Sequence, residues 1–408
     1  MSEWKEKTLG ELSIRVSSGL TPLKSNKKFW ENPSIPWLKT DQLGEKYIFD
    51  TNTKISKEAL EQTSLRIYPE NTISIAMYGE GKTRGNISII KAPMTTNQAC
   101  CNIEIDPKLA DVEYVYYYLK TQYDSLRKLS SGVRKNLNSN DIKNYKIYIP
   151  ESVSVQKSII RILTSLDNKI KLNNQINQEL EAMAKTLYDY WFVQFDFPDQ
   201  NGKPYKSSGG KMAYHPELKR EIPEGWGVEN LFDIADVQYG YPFSTDYFNS
   251  TGEGVPVIRI RDILGNDITN YSTEEVEDKY RINVGDVLIG MDGNFHMNYW
   301  IKEDCYLNQR VVKVNSDKLP NMVLKYQIKP FIKLREKSVS RTTVGHLSDK
   351  DLKAINVILP KDKYLSSIFE KFESILENII INQQQNQELT QLRDWLLPML
   401  MNGQVKVE

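Results

Sequence analysis

The sequence predicts an α+β protein written twice: a mixed sheet-and-helix unit followed by a long helix, then a second such unit and a second long helix. Three observations carry this. An apolar seam without Gly or Pro runs through residues 153–192, at Ile159, Leu163, Leu166, Ile170, Leu180, Leu187 and Trp191, with the alternating spacings of four and three that mark a packed helix. The seam returns 209 residues downstream at Ile368, Phe372, Ile375, Ile379, Leu389, Leu396 and Leu400. Asn173 and Asn177 fall on the first seam, and Asn382 and Asn386 fall in register on the second. A buried amide on a seam costs stability but fixes register and partner, so these four are the candidate register residues. Splayed helices with wet amides would show the same pattern. The local text agrees too, since Asn177-Gln178-Glu179-Leu180 reappears as Asn386-Gln387-Glu388-Leu389. Two unrelated amphipathic core helices would give the stripe but not the shared text, so the reading is an internal duplication.

The globular parts repeat in the same order. Trp4, Leu9, Glu11 and Leu12 open the first half as Trp226, Leu231, Asp233 and Ile234 open the second. Strands are expected at Ile35-Pro36-Trp37-Leu38-Lys39 and Val255-Pro256-Val257-Ile258-Arg259. Further strands at 72–77 and 85–90 flank one Gly-rich loop, and those at 286–291 and 299–302 flank another around Gly293. Asn97-Gln98 is echoed by Asn308-Gln309. Helices are expected over 112–129 and 322–336, the latter kinked or split at Pro330. Each half closes on one phrase: Leu137, Asp141, Ile142, Lys143 and Pro150 align with Leu347, Asp351, Leu352, Lys353 and Pro360. Residues 198–225, rich in Gly, Pro, Ser and Lys, read as a loop or linker. The expected divisions are therefore 1–150, a helix over 151–195, a linker over 196–222, a second unit over 223–360 and a closing helix over 361–403.

Composition narrows the function. With 408 residues, 40% hydrophobic and 26% charged, the chain is of ordinary globular type. No window approaches the roughly 18 apolar residues of a membrane span, and the expected location is the cytoplasm. Cys100, Cys101 and Cys305 give neither a disulfide framework nor zinc-ligand spacing and read as reduced core thiols. The charge balances at 53 basic against 53 acidic residues, so binding to a polyanion must come from local patches. Two basic windows exist at matching places: Lys120, Arg127, Lys128, Arg134, Lys135, Lys143 and Lys146 in the first half, and Lys325, Lys329, Lys333, Arg335, Lys337, Arg341, Lys350 and Lys353 in the second.

Ala76-Met77-Tyr78-Gly79-Glu80-Gly81-Lys82-Thr83 fits a relaxed phosphate-binding loop. Such a loop must open a helix, and this one runs into the strand-like Ile87-Ser88-Ile89-Ile90. A basic turn between strands is the better reading, with Lys82 and Arg84 placed to reach DNA phosphate or a guanine edge. Arg134, Lys135 and Asn136, and likewise Arg341 and Thr342, sit after the basic helices at the same place in each repeat, mixing charge with hydrogen-bonding groups as backbone or groove contacts do. Arg259, Asn294 and His296 are further candidates, with Asn298 and Arg310 beside them. His296 has no second ligand nearby, so no metal is expected. Neither a glycine-rich S-adenosylmethionine loop, nor an Asn-Pro-Pro-Tyr motif for a flipped base, nor a nuclease carboxylate cluster is evident, so no catalytic residue and no cofactor is expected.

The whole length resembles the DNA-specificity subunit of Type I restriction-modification systems. The residues that carry the likeness are Trp191-Phe192-Val193-Gln194-Phe195-Asp196-Phe197-Pro198, Gly202-Lys203-Pro204-Tyr205-Lys206-Ser207-Ser208-Gly209-Gly210, Arg220-Glu221-Ile222-Pro223-Glu224-Gly225-Trp226 and the terminal Leu392-Arg393-Asp394-Trp395-Leu396-Leu397-Pro398-Met399-Leu400. The resemblance implies two target-recognition domains, each reading one part of a split double-stranded DNA target, and two long helices packed as an antiparallel coiled coil with pseudo-twofold symmetry. It also implies docking of two methyltransferase (modification) subunits and of restriction subunits, with no catalysis by the chain itself. It transfers no base-contacting residue. A structural coiled-coil scaffold joining two protein-binding domains is the alternative, and the paired basic windows favour DNA over it.

Overall fold

The computed structural model describes residues 4–79, 83–129, 136–265, 268–338, 345–360 and 365–405. The chain divides into two compact units, Met1–Asn168 with Leu389–Glu408, and Lys169–Glu388. Both divisions fall inside a long helix, Val153–Tyr188 or Ser366–Met401.

In the first unit Trp4–Thr8 pairs antiparallel with Lys146–Pro150. A five-stranded sheet runs Ser13–Ser18, Cys100–Ile105, Thr72–Ala76, Ile87–Ile90, Tyr47–Ile48. Its central strand, Thr-Ile-Ser-Ile-Ala, is buried at every position, which explains the absence of a polar face in its sequence. A smaller sheet pairs Ile35–Leu38 antiparallel with Lys54–Ile55 and parallel with Thr95–Thr96. The helix expected over 112–129 is two helices, Val112–Thr121 and Tyr123–Lys128. Asp111 caps the first by accepting from the Glu113 and Tyr114 amides. It stops where the Thr121 hydroxyl takes the Tyr118 carbonyl at 2.7 Å. Ile73, Ile75, Tyr114 and Leu119 share a core with Ile159 and Leu163 of one long helix and Leu400 and Met401 of the other.

The second unit repeats the plan. Gly227–Asn230 pairs with Asn356–Leu359, and a four-stranded sheet runs Asp236–Tyr239, Val311–Asn315, Val287–Gly290, Met297–Tyr299. Val255–Ile258 lies parallel to Cys305–Leu307, as its counterpart does in the first unit. Of the kink or split expected at Pro330 the split does not occur, and the helix Asn321–Ser338 continues through it. Pro330 is on the exposed face, while Met322, Val323, Leu324, Ile328 and Ile332 anchor the opposite face in the core.

The segment expected as a linker over 196–222 is a packed element. It contains the hairpin Met212–His215 with Arg220–Pro223. Phe197 is 1% exposed and stacks on Tyr205 at 4.7 Å and on Trp226 at 4.8 Å. Asp196 accepts from the Ser207 hydroxyl at 2.6 Å and the Ser207 amide at 2.7 Å, which holds its carboxyl below the usual carboxylate range. Glycine and proline content signalled turns correctly, but three aromatic residues provide enough apolar surface to fix them in place.

The long helices are antiparallel. Within the second unit Asn173 Nδ2 donates to Asn386 Oδ1 at 3.0 Å, Asn382 Nδ2 donates to Asn177 Oδ1 at 2.9 Å, and Trp191 meets Phe372 edge to face at 5.8 Å. Asn173 is 0% and Asn177 7% exposed, whereas Asn382 and Asn386 are half-buried, so the first helix carries the buried side of the amide cluster. Within the first unit Arg393 pairs with Asp167 at 2.9 Å. Asp167 also receives the Tyr117 hydroxyl and lies 3.7 Å from Lys46, whose ammonium reaches Glu113 at 3.1 Å. The first helix does not end at Tyr188 but loosens into a π-helical turn, Asp189–Val193.

Candidate nucleic-acid interface

In each unit a hairpin tip, the turn after the Asn-Gln pair and the segment before the closing Leu are tied by the same backbone bonds. Met77 N–H donates to the Ala99 carbonyl at 2.8 Å and Leu137 N–H to the Met77 carbonyl at 3.1 Å; Met291 N–H donates to Arg310 at 2.9 Å and Leu347 N–H to Met291 at 2.7 Å. Cys100 N–H reaches Asn97 at 3.1 Å, and Val311 N–H reaches Asn308 at 2.9 Å. Gly19 N–H bonds Cys100 and Leu20 N–H bonds Thr96, as Gly240 bonds Val311 and Tyr241 bonds Leu307. Both glycines are required by close approach: a Cβ at Gly19 would lie 2.3 Å from the Thr96 carbonyl oxygen, and one at Gly240 would lie 2.0 Å from that of Asn308.

These bonds define three equivalent positions. After the methionine stands Tyr78 or Asp292, before the cysteine or valine Ala99 or Arg310, and before the closing leucine Asn136 or His346. The scaffold is shared and the chemistry is not. In the second unit the three side chains converge: His346 Nδ1 lies 2.7 Å from Asp292 Oδ1, and Arg310 Nε lies 3.4 Å from Asp292 Oδ2. Asn294 is exposed at the same tip, and the half-buried His296 folds back so that its amide meets the Asn294 carbonyl.

In the first unit the two candidate windows meet at Gly85, where a Cβ would come 3.1 Å from Arg127 Cγ. The half-buried Arg84 is the preceding residue, and Arg127 donates to the Tyr123 hydroxyl at 2.9 Å. Asn136 is half-buried beside the Leu137 bond. Lys82, Arg134, Lys135, Arg341 and Thr342 lie outside the described residues.

Other candidates are drawn into their own units. Arg259 Nε bonds Asp262 at 3.2 Å and its terminal nitrogen bonds Thr269, with the side chain 19% exposed. Lys325 lies 3.7 Å over the Tyr299 ring, and burial pushes its ammonium down to about 8. Lys353 pairs with Asp349 at 2.7 Å and Arg335 with Asp351 at 3.2 Å, whereas Lys329, Lys333 and Lys337 remain exposed. The three cysteines are buried free thiols. Among the described residues no cluster of three or more His, Cys, Asp or Glu could hold a metal ion, and no helix is long and apolar enough to cross a membrane.

Sequence reasoning missed Asp292 and His346. The available signals were the Asp292-Gly293 turn pair and the place of His346 directly before the repeated Leu347.

A duplicated scaffold with different side chains at equivalent tips defines a two-unit protein whose shared frame carries two different surfaces. The family model for the Type I restriction modification DNA specificity domain matches residues 1–182 and 223–391. The chain belongs to this family, whose members are the non-catalytic specificity subunits. It is 28% identical over 431 residues to the Type I restriction enzyme MjaIX specificity subunit of Methanocaldococcus jannaschii, covering 100% of this chain and 94% of that one. It is 21% identical over 474 residues to the HindI specificity subunit of Haemophilus influenzae, covering 99% and 100%. The fold matches the crystal structure of a Type I restriction-modification S subunit from M. genitalium with a TM-score of 0.60 and 17% identity, over 98% of this chain and 96% of that one.

Proposed function

We propose that the chain reads a split, asymmetric double-stranded DNA target, one half-site per unit, and presents it in the cytoplasm to two docked methyltransferase subunits and to restriction subunits. The supporting observation is the pair of equivalent hairpin tips: the same backbone bonds hold Tyr78, Ala99 and Asn136 in one unit and Asp292, Arg310 and His346 in the other. Identical chemistry at both tips would read a palindrome; different chemistry reads two different half-sites. A helix of 36 residues is about 54 Å long at 1.5 Å per residue, which suits the long helices to setting an unread spacer.

The test is to replace residues 1–150 with the matching part of a related subunit and to sequence methylated genomic DNA from cells carrying the methyltransferase partner. One half-site should change while the other and the spacer stay. A contiguous or palindromic motif, or a change in both halves, would overturn this reading.

A further inference from the structure

We infer that Arg310 and His346, both held by Asp292, form a base-reading cluster of the second unit, with Arg310 directed at a guanine. This rests on the proposed split readout and names side chains that perform half of it. Arg310 is 53% and His346 48% exposed, while the Asp292 side chain between them is 29% exposed. Ion pairs this open contribute little to stability, so folding alone does not account for the arrangement. The first unit makes the point directly: with Tyr78, Ala99 and Asn136 in these positions it closes the same backbone bonds without any charge.

The chemistry fits a base edge. The ion pair to Asp292 engages Arg310 Nε, and the four N–H groups of the two terminal nitrogens form the fork that matches guanine O6 and N7 in the major groove. A carboxylate accepts only, so His346 donates from Nδ1 and turns Nε2 away from Asp292 as a second polar contact. Asp292 is thus a positioning residue, restricting the rotamers of both readers before DNA arrives. A lone surface arginine would serve a phosphate equally well. An arginine fixed by a neighbouring carboxylate, beside an oriented imidazole, is suited to a contact where direction matters.

The experiment uses the full subunit assembled with its methyltransferase partner in cells, read by methylome sequencing for wild type, Arg310→Ala, Arg310→Lys and Asp292→Asn. Wild type should show a bipartite motif. Arg310→Ala should relax one guanine position of one half-site, with discrimination there falling by roughly 5- to 150-fold. Arg310→Lys should relax the same position, because it keeps the charge but loses the fork. Asp292→Asn should relax it partly, and the other half-site should stay intact in all three. Unchanged specificity in Arg310→Ala overturns the assignment, as does weaker methylation at every site without relaxation, which marks a phosphate contact. Loss of all methylation in all three variants overturns it as well, since it makes the cluster a structural staple. A wild-type motif that is not bipartite sinks the split readout itself, whereas a bipartite motif untouched by Arg310→Ala sinks only this cluster.

Discussion

Asp286, the first residue past a turn into a central strand of the second unit, is 1% exposed, and its Oδ2 accepts from the Asn283 amide at 2.7 Å. Its Oδ1 has no hydrogen-bond partner among the described residues. Burial pushes the carboxyl up to about 6, with the Asn283 amide and the nearby Lys313 acting in the opposite sense. An aspartate in the unfolded chain titrates near 3.9. Between these values the native state holds more protons than the unfolded one, so stability falls as pH rises from about 4 to about 6 and is flat above. About two pKa units correspond to about 3 kcal/mol at most. Asp286→Asn keeps an acceptor for Asn283 and removes the charge, so at pH 7 it should stabilise the unit by about 1–3 kcal/mol. At 2–4 °C per kcal/mol for a unit of this size, the melting temperature should rise by about 2–12 °C. Thermal unfolding of wild type and variant from pH 4 to pH 7.5 is the assay. The difference should vanish near pH 4 and grow to its plateau above 6. A difference that does not change with pH, or a less stable variant at pH 7, would refute the reasoning.

Two further outcomes follow from packing. Asn177→Ala should destabilise the helix pair by about 1–2 kcal/mol in urea unfolding, because it removes the acceptor that Asn382 uses at 2.9 Å and the extra donor that Asn177 gives the helical Ile379 carbonyl at 3.2 Å. Asn177→Leu with Asn382→Leu should be neutral or stabilising, since an apolar pair replaces a buried polar one. Trp226→Ala should cost about 3–5 kcal/mol and open the segment around Phe197 and Tyr205 to limited proteolysis, whereas a true linker would be cut equally in wild type.

The duplication and the long helices were legible because heptad spacing is a one-dimensional signal, and Asn173, Asn177, Asn382 and Asn386 mark it at the same offset. The strands were legible where they are short apolar runs, as at Ile35–Leu38. What escaped depends on side chains meeting across long stretches of sequence. Asp292 meets His346 and Arg310, and Lys46 meets Glu113 and Asp167, only once the sheet and helices are placed. Local composition could not show pairing within the basic windows, where Arg335 and Lys353 find carboxylates and Lys325 lies over the Tyr299 ring. Pro330 does not split its helix for a related reason, since its ring sits on the exposed face while the opposite face is anchored in the core.

The way the first unit is assembled has a consequence for biosynthesis. Ile159, Ile160 and Leu163 are covered in a core that also needs Leu396, Leu397, Leu400 and Met401, so the unit is written at both ends of the chain. Some 220 residues, Lys169–Glu388, must leave the ribosome before the closing strip arrives. At 5–20 residues per second that wait is about 10–40 s, with a bare apolar seam offered to chaperones throughout. A message cut short anywhere in that interval therefore yields a first unit that lacks its closing helix, and translation through Met401 becomes the condition for releasing that unit in finished form.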